Sequence, residues 1–145
     1  MSKLPKAPIT GARKEDPMNS KTISQQTLLE CRKKLLSLKQ DVLNRVRSSA
    51  QQYSLSQASR TTSGDEIDQA VTQLEEHNFL VSQDRLRHQL IEIEMALSRM
   101  ENGTFGICEE TEEIIEVDRL LAIPWTRLSI EGAEIREAMS HRFAR

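Results

Sequence analysis

Two aspartates three residues apart, Asp65 and Asp68, are the side chains whose type and spacing first suggest chemistry. Residues three apart on a helix lie on one face, and two carboxylates there can act on a nearby cation through their charge. No nucleophile or third ligand accompanies them, which disfavours catalysis. A structural role is the alternative, because an acid in the first turn of a helix stabilises it by roughly 0.3–1 kcal/mol. Both interpretations predict a helix that begins at this pair.

The cysteines and histidines are the other candidates for chemistry, and none of them forms a recognisable site. Cys31 and Cys108 lie far apart without a CxxC partner, so two free thiols in a reducing compartment are expected. No base is visibly positioned to activate Cys108 as a nucleophile. His77, His88 and His141 lack the spacing of a metal site. A metal-dependent or thiol enzyme is therefore disfavoured, and we predict that the protein is not an enzyme.

Two long helices must position these residues. From Ile23 to Gln51, apolar residues recur at alternating spacings of three and four, which is the pattern of a coiled-coil seam. The seam and its flanks comprise Leu28, Cys31, Leu35, Leu38 and Val42, widened by Leu29, Leu36, Leu43 and Val46. No glycine or proline interrupts the segment. The pattern predicts a helix roughly 40 Å long.

A second helix is predicted to begin near Asp65 and to end at Asn102. Ser63 and Glu66 have the spacing of a capping box at its start, and Gly103 can take the left-handed conformation that ends a helix. The apolar stripe slips by one residue in mid-course, because a 3.6-residue turn drifts against a heptad. Its members are Ile67, Val71, Leu74, Asn78 and Val81, followed by Leu86, Leu90, Ile93, Leu97 and Met100.

The predicted fold is mainly α, a long antiparallel helical hairpin on a small body. The segment from Gln52 to Ser63 is polar and short, so the two helices should pack against each other. We divide the chain into a flexible N-terminal tail (1–22), a coiled-coil hairpin (23–102) with its tip near 52–70, and a small globular body (103–145). The body should contain turns, two short strands and a short C-terminal helix from about Glu131.

The bulk properties agree with an extended helical protein and exclude several function classes. Aromatic residues make up 3% of the chain, which disfavours a thick sheet-based core. A net charge of −2 gives no sign of nucleic-acid binding, so no direct sequence-specific DNA contact is expected. No apolar run approaches the roughly 18 residues of a membrane span, and no signal-peptide core follows the N-terminus. We expect a cytoplasmic monomer without a membrane partner.

Three motifs, in order and in register over roughly residues 25–140, resemble the DksA/TraR family. Residues 65–70, DEIDQA, match the family's coiled-coil tip pattern DxxDxA. Residues 96–109, ALSRMENGTFGICE, look like the junction where a coiled-coil helix runs into the first zinc-finger cysteine. Residues 119–124, RLLAIP, resemble the RLxAxP stretch that follows. Each motif alone is weak, whereas the three together are specific.

The resemblance implies a function for the acidic tip. Members of this family bind bacterial RNA polymerase and insert the coiled coil into its secondary channel, towards the active centre. They alter the lifetime of promoter complexes, often together with ppGpp, the alarmone of the stringent response. On this basis Asp65, Asp68 and Ala70 form the expected effector tip, acting on RNA polymerase as partner.

The alarmone site implied by the resemblance is only partly present. The family uses basic residues on the second coil helix and near the C-terminal helix, at positions that correspond here to Val81, Ser82, Arg85, His88, Gln89, Glu92 and Ala133. Arg85 is the one fixed cation among them, and Glu92 would repel a phosphate. A tetra- or pentaphosphate needs several cations or helix N-termini. We expect weak or altered ppGpp synergy, with Arg85, His88 and Arg119 as candidate contacts with ppGpp or the polymerase.

The zinc site implied by the resemblance is depleted. Its four cysteine positions correspond to Cys108, Thr111, Ser129 and Gly132, so one cysteine is left. Structural zinc needs four good donors, hydroxyls are poor ligands, and glycine has no side chain. We expect no structural zinc and no other bound cofactor, with apolar packing in its place. The candidate packing residues are Ile107, Ile115, Val117, Leu120, Trp125, Leu128 and Ile130. Such a protein would suit zinc scarcity or thiol oxidation.

A coiled-coil interaction or scaffold protein that merely shares the hairpin is the competing hypothesis. The tip discriminates between the two classes. An Asp68→Asn variant of a polymerase regulator should still bind polymerase yet lose its transcriptional effect, whereas a scaffold would remain fully active.

Overall fold

The computed structural model describes residues 23–60 and 65–143. Four helices account for most of this part of the chain: α1 (Gln25–Ala58), α2 (Glu66–Asn102), α3 (Val117–Ala122) and α4 (Ile130–Phe143). The predicted mainly α fold with a long helical hairpin is confirmed. The predicted flexible tail, residues 1–22, lies outside the described residues. Within the described part, no helix has the length and apolar character needed to cross a membrane.

Helix α1 is longer than its apolar seam predicted. The Ser24 hydroxyl accepts a hydrogen bond from the Thr27 amide at 3.2 Å and caps the N-terminus. The helix continues to Ala58, seven residues past the predicted end at Gln51. Residues 52–58 contain no glycine or proline, and extending an existing helix costs far less than starting one. The loss of apolar periodicity therefore marked a change in packing and not the end of the helix.

Helix α2 begins and ends at the predicted places. The Asp65 carboxylate accepts a hydrogen bond from the Asp68 amide at 2.9 Å, so Asp65 is the N-cap. The predicted cap, Ser63, lies outside the described residues. At the other end Gly103 has φ 79°, and its amide donates to the Arg99 carbonyl. The glycine stop is confirmed, since this left-handed backbone strains most other residues.

The two long helices run antiparallel. Lys39 Nζ lies 2.7 Å from a Glu94 carboxylate oxygen near the base of the hairpin. Towards the other end, the rings of Tyr53 and Phe79 stack with centroids 4.2 Å apart. As the residue number rises on α1, that of its partner on α2 falls. The hairpin is therefore a rod, and at 1.5 Å per residue the 37 residues of α2 span about 55 Å.

The hydrophobic core lies at the base of this rod and continues into the body. Helices α1 and α2 each contribute one buried stripe, and the body contributes the rest. The buried members are Cys31, Leu35, Val42, Leu86, Ile93, Ala96, Phe105, Cys108, Ile115 and Leu120. The Lys34 ammonium also donates to the Leu121 carbonyl at 2.7 Å, which fastens α3 to α1. Leu29 and Leu36, predicted to widen the buried face of α1, are 63% and 45% exposed instead.

The distal half of α2 does not pack as predicted. Leu86, Leu90, Ile93, Leu97 and Met100 are buried or half-buried against α1, as expected, whereas Ile67, Val71, Leu74, Asn78 and Val81 are exposed. The half-buried positions there are Thr72, Glu75 and Phe79. The predicted apolar stripe was wrong in this half because α2 turns a largely polar face to α1.

The body contains less strand and a smaller core than predicted. Ile107 and Ile114 form a single antiparallel bridge in place of the two predicted strands. Ile115 and Leu120 are buried, and Trp125 and Leu128 pack partly against the core, as predicted. Val117 and Ile130 are 46% and 50% exposed, contrary to prediction. Each of these two is the first residue of a helix, where one side of the chain still faces solvent.

Candidate functional site

The predicted effector tip forms the start of α2, at the end of the rod furthest from the body. Asp65, Asp68 and Ala70 are all exposed. The Asp65 side chain is occupied as the helix cap, since one of its oxygens accepts the Asp68 amide. The Asp68 backbone is thereby fixed while its carboxylate faces solvent. The arrangement presents negative charge about 55 Å from the base of α2, and it holds no nucleophile.

The four degenerate metal positions converge in the body. The Thr111 amide donates to Cys108 Sγ at 3.5 Å, and the Gly132 amide donates to Ser129 Oγ at 3.0 Å. Cys108 and Ser129 are 1% and 5% exposed, so the cluster is closed to solvent. The four positions implied by the family resemblance therefore lie close together in the fold.

The chemistry of this cluster is that of a stabilised thiolate. Burial raises the pKa of the Cys108 thiol, but hydrogen bonds from the hydroxyls and backbone of Ser129 and Thr111 outweigh it and bring the pKa to about 6. Donors that favour the charged form lower a pKa in this way. The two hydroxyls are poor ligands for zinc and good donors to sulfur. Cys31 behaves in the opposite manner: burial raises its pKa, and its thiol contacts the Leu120 carbonyl at 3.5 Å.

The cluster does not fit a zinc ion. A tetrahedral site with Zn–S distances near 2.3 Å holds its sulfurs about 3.8 Å apart. Here a Cβ on Gly132 would lie 2.4 Å from Cys108 Sγ, so the space that a metal and its ligands need is closed. The donor set is also one thiolate and two hydroxyls. Within residues 23–60 and 65–143, no three His, Cys, Asp or Glu side chains are grouped as metal ligands would be.

A Gly132→Ala substitution tests this close packing. We expect it to lower the free energy of unfolding by about 1–3 kcal/mol, the usual cost of forcing an extra methyl into a filled site. The Cβ would meet Cys108 Sγ at 2.4 Å and Glu110 Cβ at 3.3 Å. Urea denaturation measures the change.

The same substitution in a Cys108→Ala background is the matched control. With the sulfur gone, Gly132→Ala should become neutral or stabilising, because alanine favours a helix interior over glycine by about 1 kcal/mol. An equal loss in both backgrounds would mean that the thiol isn't the obstacle.

A groove between α1 and α2 surrounds the predicted alarmone position Arg85. It has a volume of about 400 Å³ and is lined by Arg45, Ser48, Ser49, Gln52, Ser82, Arg85, Leu86 and Gln89. Guanidinium and hydroxyl groups suit an anion. Sequence reasoning missed the contribution of α1. The signal was available, because residues 45, 48, 49 and 52 have the three- and four-residue spacing of one helix face.

The other predicted interface residues have internal partners. His88 Nδ1 lies 3.0 Å from the Asp84 carbonyl on the exposed side of α2. Arg119 donates from Nε to the Leu128 carbonyl at 2.8 Å, so this side chain braces the body. Arg119 belongs to α3, and no contact joins it to Arg85 or His88 among the described hydrogen bonds.

Glu92, which was expected to repel phosphate, belongs to a ladder of charges between hairpin and body. Arg127 lies 3.7 Å from the Glu92 carboxylate and 3.9 Å from that of Glu109. Arg136 of α4 then reaches Glu109 at 3.4 Å and Glu110 at 2.9 Å. Sequence reasoning missed this ladder, since its members come from four separate segments: α2, the 109–110 turn, residue 127 and α4. The side chains are about a third exposed or more in most cases, so each pair contributes little alone.

Known proteins match this chain in sequence over lengths that range from the body alone to nearly three quarters of the chain. The family described as prokaryotic dksA/traR C4-type zinc finger matches residues 103–138, where Cys108 is the only cysteine. The RNA polymerase-binding transcription factor DksA of Caulobacter vibrioides is 35% identical over 106 residues, which are 73% of this chain and 72% of that protein. General stress protein 16O of Bacillus subtilis is 41% identical over 46 residues, 32% of this chain and 28% of that one.

Among solved structures, transcription factor DksA2 from Pseudomonas aeruginosa superposes with a TM-score of 0.71 at 26% identity. The match covers 92% of this chain and 98% of that structure, so it includes rod and body together. Identity of 35% over nearly three quarters of both sequences, together with the fold likeness to DksA2 over 92% of this chain, leads to one conclusion. The chain belongs to the DksA/TraR family, as a zinc-ligand-depleted member.

Proposed function

We propose that this protein is a non-enzymatic transcription regulator that binds bacterial RNA polymerase and inserts its hairpin tip into the secondary channel. One observation carries the proposal. In a chain 35% identical to an RNA polymerase-binding transcription factor, exposed Asp65 and Asp68 stand at the start of a 37-residue helix. In this proposal the protein acts as a monomer, because one hairpin occupies one channel. It acts in the cytoplasm, where bacterial RNA polymerase is found.

The tip acts through charge and shape. Two packed helices, each about 10–12 Å across, make a narrow rod about 55 Å long. Carboxylates brought near a catalytic metal ion alter its field and compete with the groups around it. Asp68 has an exposed carboxylate that the helix cap does not use. The small exposed Ala70 leaves room for close approach. Promoter complexes and initiation would change without any chemistry by the regulator.

The body works without structural zinc in this proposal. The closed cluster around Cys108 and the shared core of hairpin and body support it. In place of a zinc ion, the apolar core and the ion pairs of Arg127 and Arg136 hold α4 against the 109–110 turn. The protein would then keep its activity when zinc is scarce.

The alarmone ppGpp would be at most a weak co-effector. The groove beside Arg85 offers a second guanidinium, Arg45, and several hydroxyls, which supports phosphate binding. Two cations remain few for a tetra- or pentaphosphate. We therefore propose that synergy with ppGpp is smaller than a fully basic site would give.

A pull-down with core RNA polymerase, followed by in vitro transcription from a ribosomal promoter, tests the function. We expect binding and a changed yield of initiated transcripts, in buffer depleted of zinc as well as in its presence. Adding ppGpp should increase the effect by less than about tenfold, the ratio that 1.4 kcal/mol of coupling would produce. Failure to bind polymerase would refute the proposal. Binding without any transcriptional effect would favour the scaffold alternative.

A further inference from the structure

The distal half of the hairpin lacks the apolar seam that holds its base together. The last well-buried apolar side chains towards the tip are Val42 on α1 and Leu86 on α2. Beyond it, the described contacts are the Gln83 amide on the Val46 carbonyl at 3.5 Å, the stacked rings of Tyr53 and Phe79, and a polar group at Arg60. Among the described residues, polar contacts therefore provide a larger share of the connection between the two helices towards the tip.

Arg60 provides that connection. It lies two residues beyond the end of α1, and four residues separate it from Asp65. Its guanidinium donates through Nη1 to Thr72 Oγ1 at 2.6 Å and through Nη2 to a Glu75 carboxylate oxygen. These two acceptors are three residues apart on α2, on the same helix face. A planar guanidinium that uses two donors at once fixes direction as well as distance.

The connection continues from Arg60 to the effector residue. The Thr72 hydroxyl, which accepts from Arg60, donates to the Asp68 carbonyl at 2.8 Å. The Asp68 amide is held from the other side by the Asp65 carboxylate at 2.9 Å. The backbone N–H and C=O of Asp68 are thus both held, the first by the cap and the second by a relay that begins at Arg60, just beyond α1.

We propose that Arg60 is the positioning residue of the tip. Its bonds to Thr72 and Glu75 set the rotation of α2 about its axis, and the Thr72 hydroxyl transmits that setting to Asp68. This inference rests on the proposed function, in which the Asp68 carboxylate acts on the polymerase. Arg60 need not touch the polymerase. Without it the tip still forms, but the Asp68 carboxylate samples several directions.

The rotation has a second consequence. Because Thr72 and Glu75 face α1, the apolar side chains between and beside them face outward, with Ile67 71% and Leu74 59% exposed. Burying them would require α2 to rotate and Arg60 to lose both acceptors. Arg60 and Glu75 are 30% and 43% exposed, so the pair adds little to overall stability. The Arg60–Glu75 pair instead favours one rotation of α2 about its axis over others of similar energy.

Three variants test the proposal. Arg60→Met removes the guanidinium and keeps the aliphatic stem. Thr72→Val removes the hydroxyl that links Arg60 to Asp68 and keeps the side-chain shape. Arg47→Met is the control, because it removes an exposed cation within α1. In the free protein we expect the amides of Asp68 and Thr72 to exchange hydrogen about fivefold faster in the first two variants, as about 1 kcal/mol of lost ordering implies. The control should match the wild type.

The same variants are then compared with polymerase, measuring dissociation constant and maximal transcriptional effect separately. Arg60→Met and Thr72→Val should bind within about twofold of wild type yet reach only about a fifth of the maximal effect at saturation. A merely structural role would weaken binding and leave the saturating effect unchanged. Exchanging the charges, Arg60→Glu with Glu75→Arg, should restore more of the effect than either single change leaves.

Unchanged amide exchange in Arg60→Met would overturn the positioning role. Faster exchange with a wild-type maximal effect would overturn the link to function. An Asp68→Asn variant assayed alongside separates the two ideas: if it too is fully active, the proposed tip mechanism has failed, and the exchange result alone still decides whether Arg60 orders the tip.

Discussion

An Asp68→Asn variant is expected to bind RNA polymerase normally and to lose at least about four-fifths of its effect on transcription. A unit charge 4 Å from a cation contributes about 1 kcal/mol even in bulk water and more in a less polar site, and 1 kcal/mol is about a fivefold effect. Asparagine has nearly the same shape, and the Asp68 side chain is exposed. The fold should lose only the helix-dipole contribution, roughly 0.3–1 kcal/mol.

The measurement is single-round transcription at saturating regulator, with binding to core polymerase followed in parallel. Glu66→Gln is the matched control, because Glu66 is an exposed acid in the same turn and lies outside the tip motif. If Glu66→Gln were as damaging as Asp68→Asn, general negative charge at the tip would explain the effect. If Asp68→Asn kept full activity, the secondary-channel mechanism would be wrong.

Asp65 requires two substitutions, because it combines charge with a structural role. Its carboxylate caps α2. Asn is an equally good N-cap, so Asp65→Asn removes the charge alone, whereas Asp65→Ala also costs about 1 kcal/mol of helix stability. The difference between the two variants isolates the cap, and it helps to interpret Asp68, whose amide depends on that cap.

Replacing Thr111, Ser129 and Gly132 together by cysteine is expected to create a structural zinc site with Cys108. The four positions already converge, and four thiolates are a complete ligand set. The triple variant should bind one zinc ion, and zinc at 1,000 times its dissociation constant should stabilise the fold by about 4 kcal/mol. The wild-type melting temperature should not respond to zinc or chelator.

Elemental analysis and thermal melts with and without chelator make the test. The metal-free triple variant should be less stable than wild type, since a Cβ at position 132 lies 2.4 Å from Cys108 Sγ and the cluster must open to admit it. Adding Cys108→Ser to the triple variant is the control and should weaken zinc binding strongly. Stoichiometric zinc in the wild-type protein would contradict zinc independence.

The contrast between the two cysteines shows why such a site cannot be judged from composition alone. Cys31 falls on an apolar stripe, and the structure buries it in the core as a neutral thiol, since burial raises its pKa. Cys108 is equally buried, yet Ser129 and Thr111 bring its pKa to about 6. The family resemblance implied which positions accompany Cys108. Only their packing turned two hydroxyls into donors to sulfur.

Much of the hairpin could be predicted because its signals are local. The apolar seam of α1, the acids at the start of α2 and the glycine at position 103 each act within one or two helical turns, where backbone geometry leaves few alternatives. The end of α1 was misplaced because the polar residues 52–58 carry no stop signal. Helix continuation is decided by the absence of a breaker.

The acidic tip itself was determined by the sequence, since DEIDQA at 65–70 reads directly from the chain. What the tertiary structure decided is how that tip is held. Apolar spacing on α2 predicted that Ile67 and Leu74 would face α1. Instead, Thr72 and Glu75 face the end of α1 because they bind Arg60. Ile67 and Leu74 are therefore exposed to solvent. The rotation of α2 about its axis depends on contacts with residues in or next to α1. The apolar periodicity within α2 does not predict those contacts. The same holds for the four metal positions. Their residue types can be seen in the sequence, but the close packing around the Cys108 sulfur depends on contacts between segments that only the folded chain brings together.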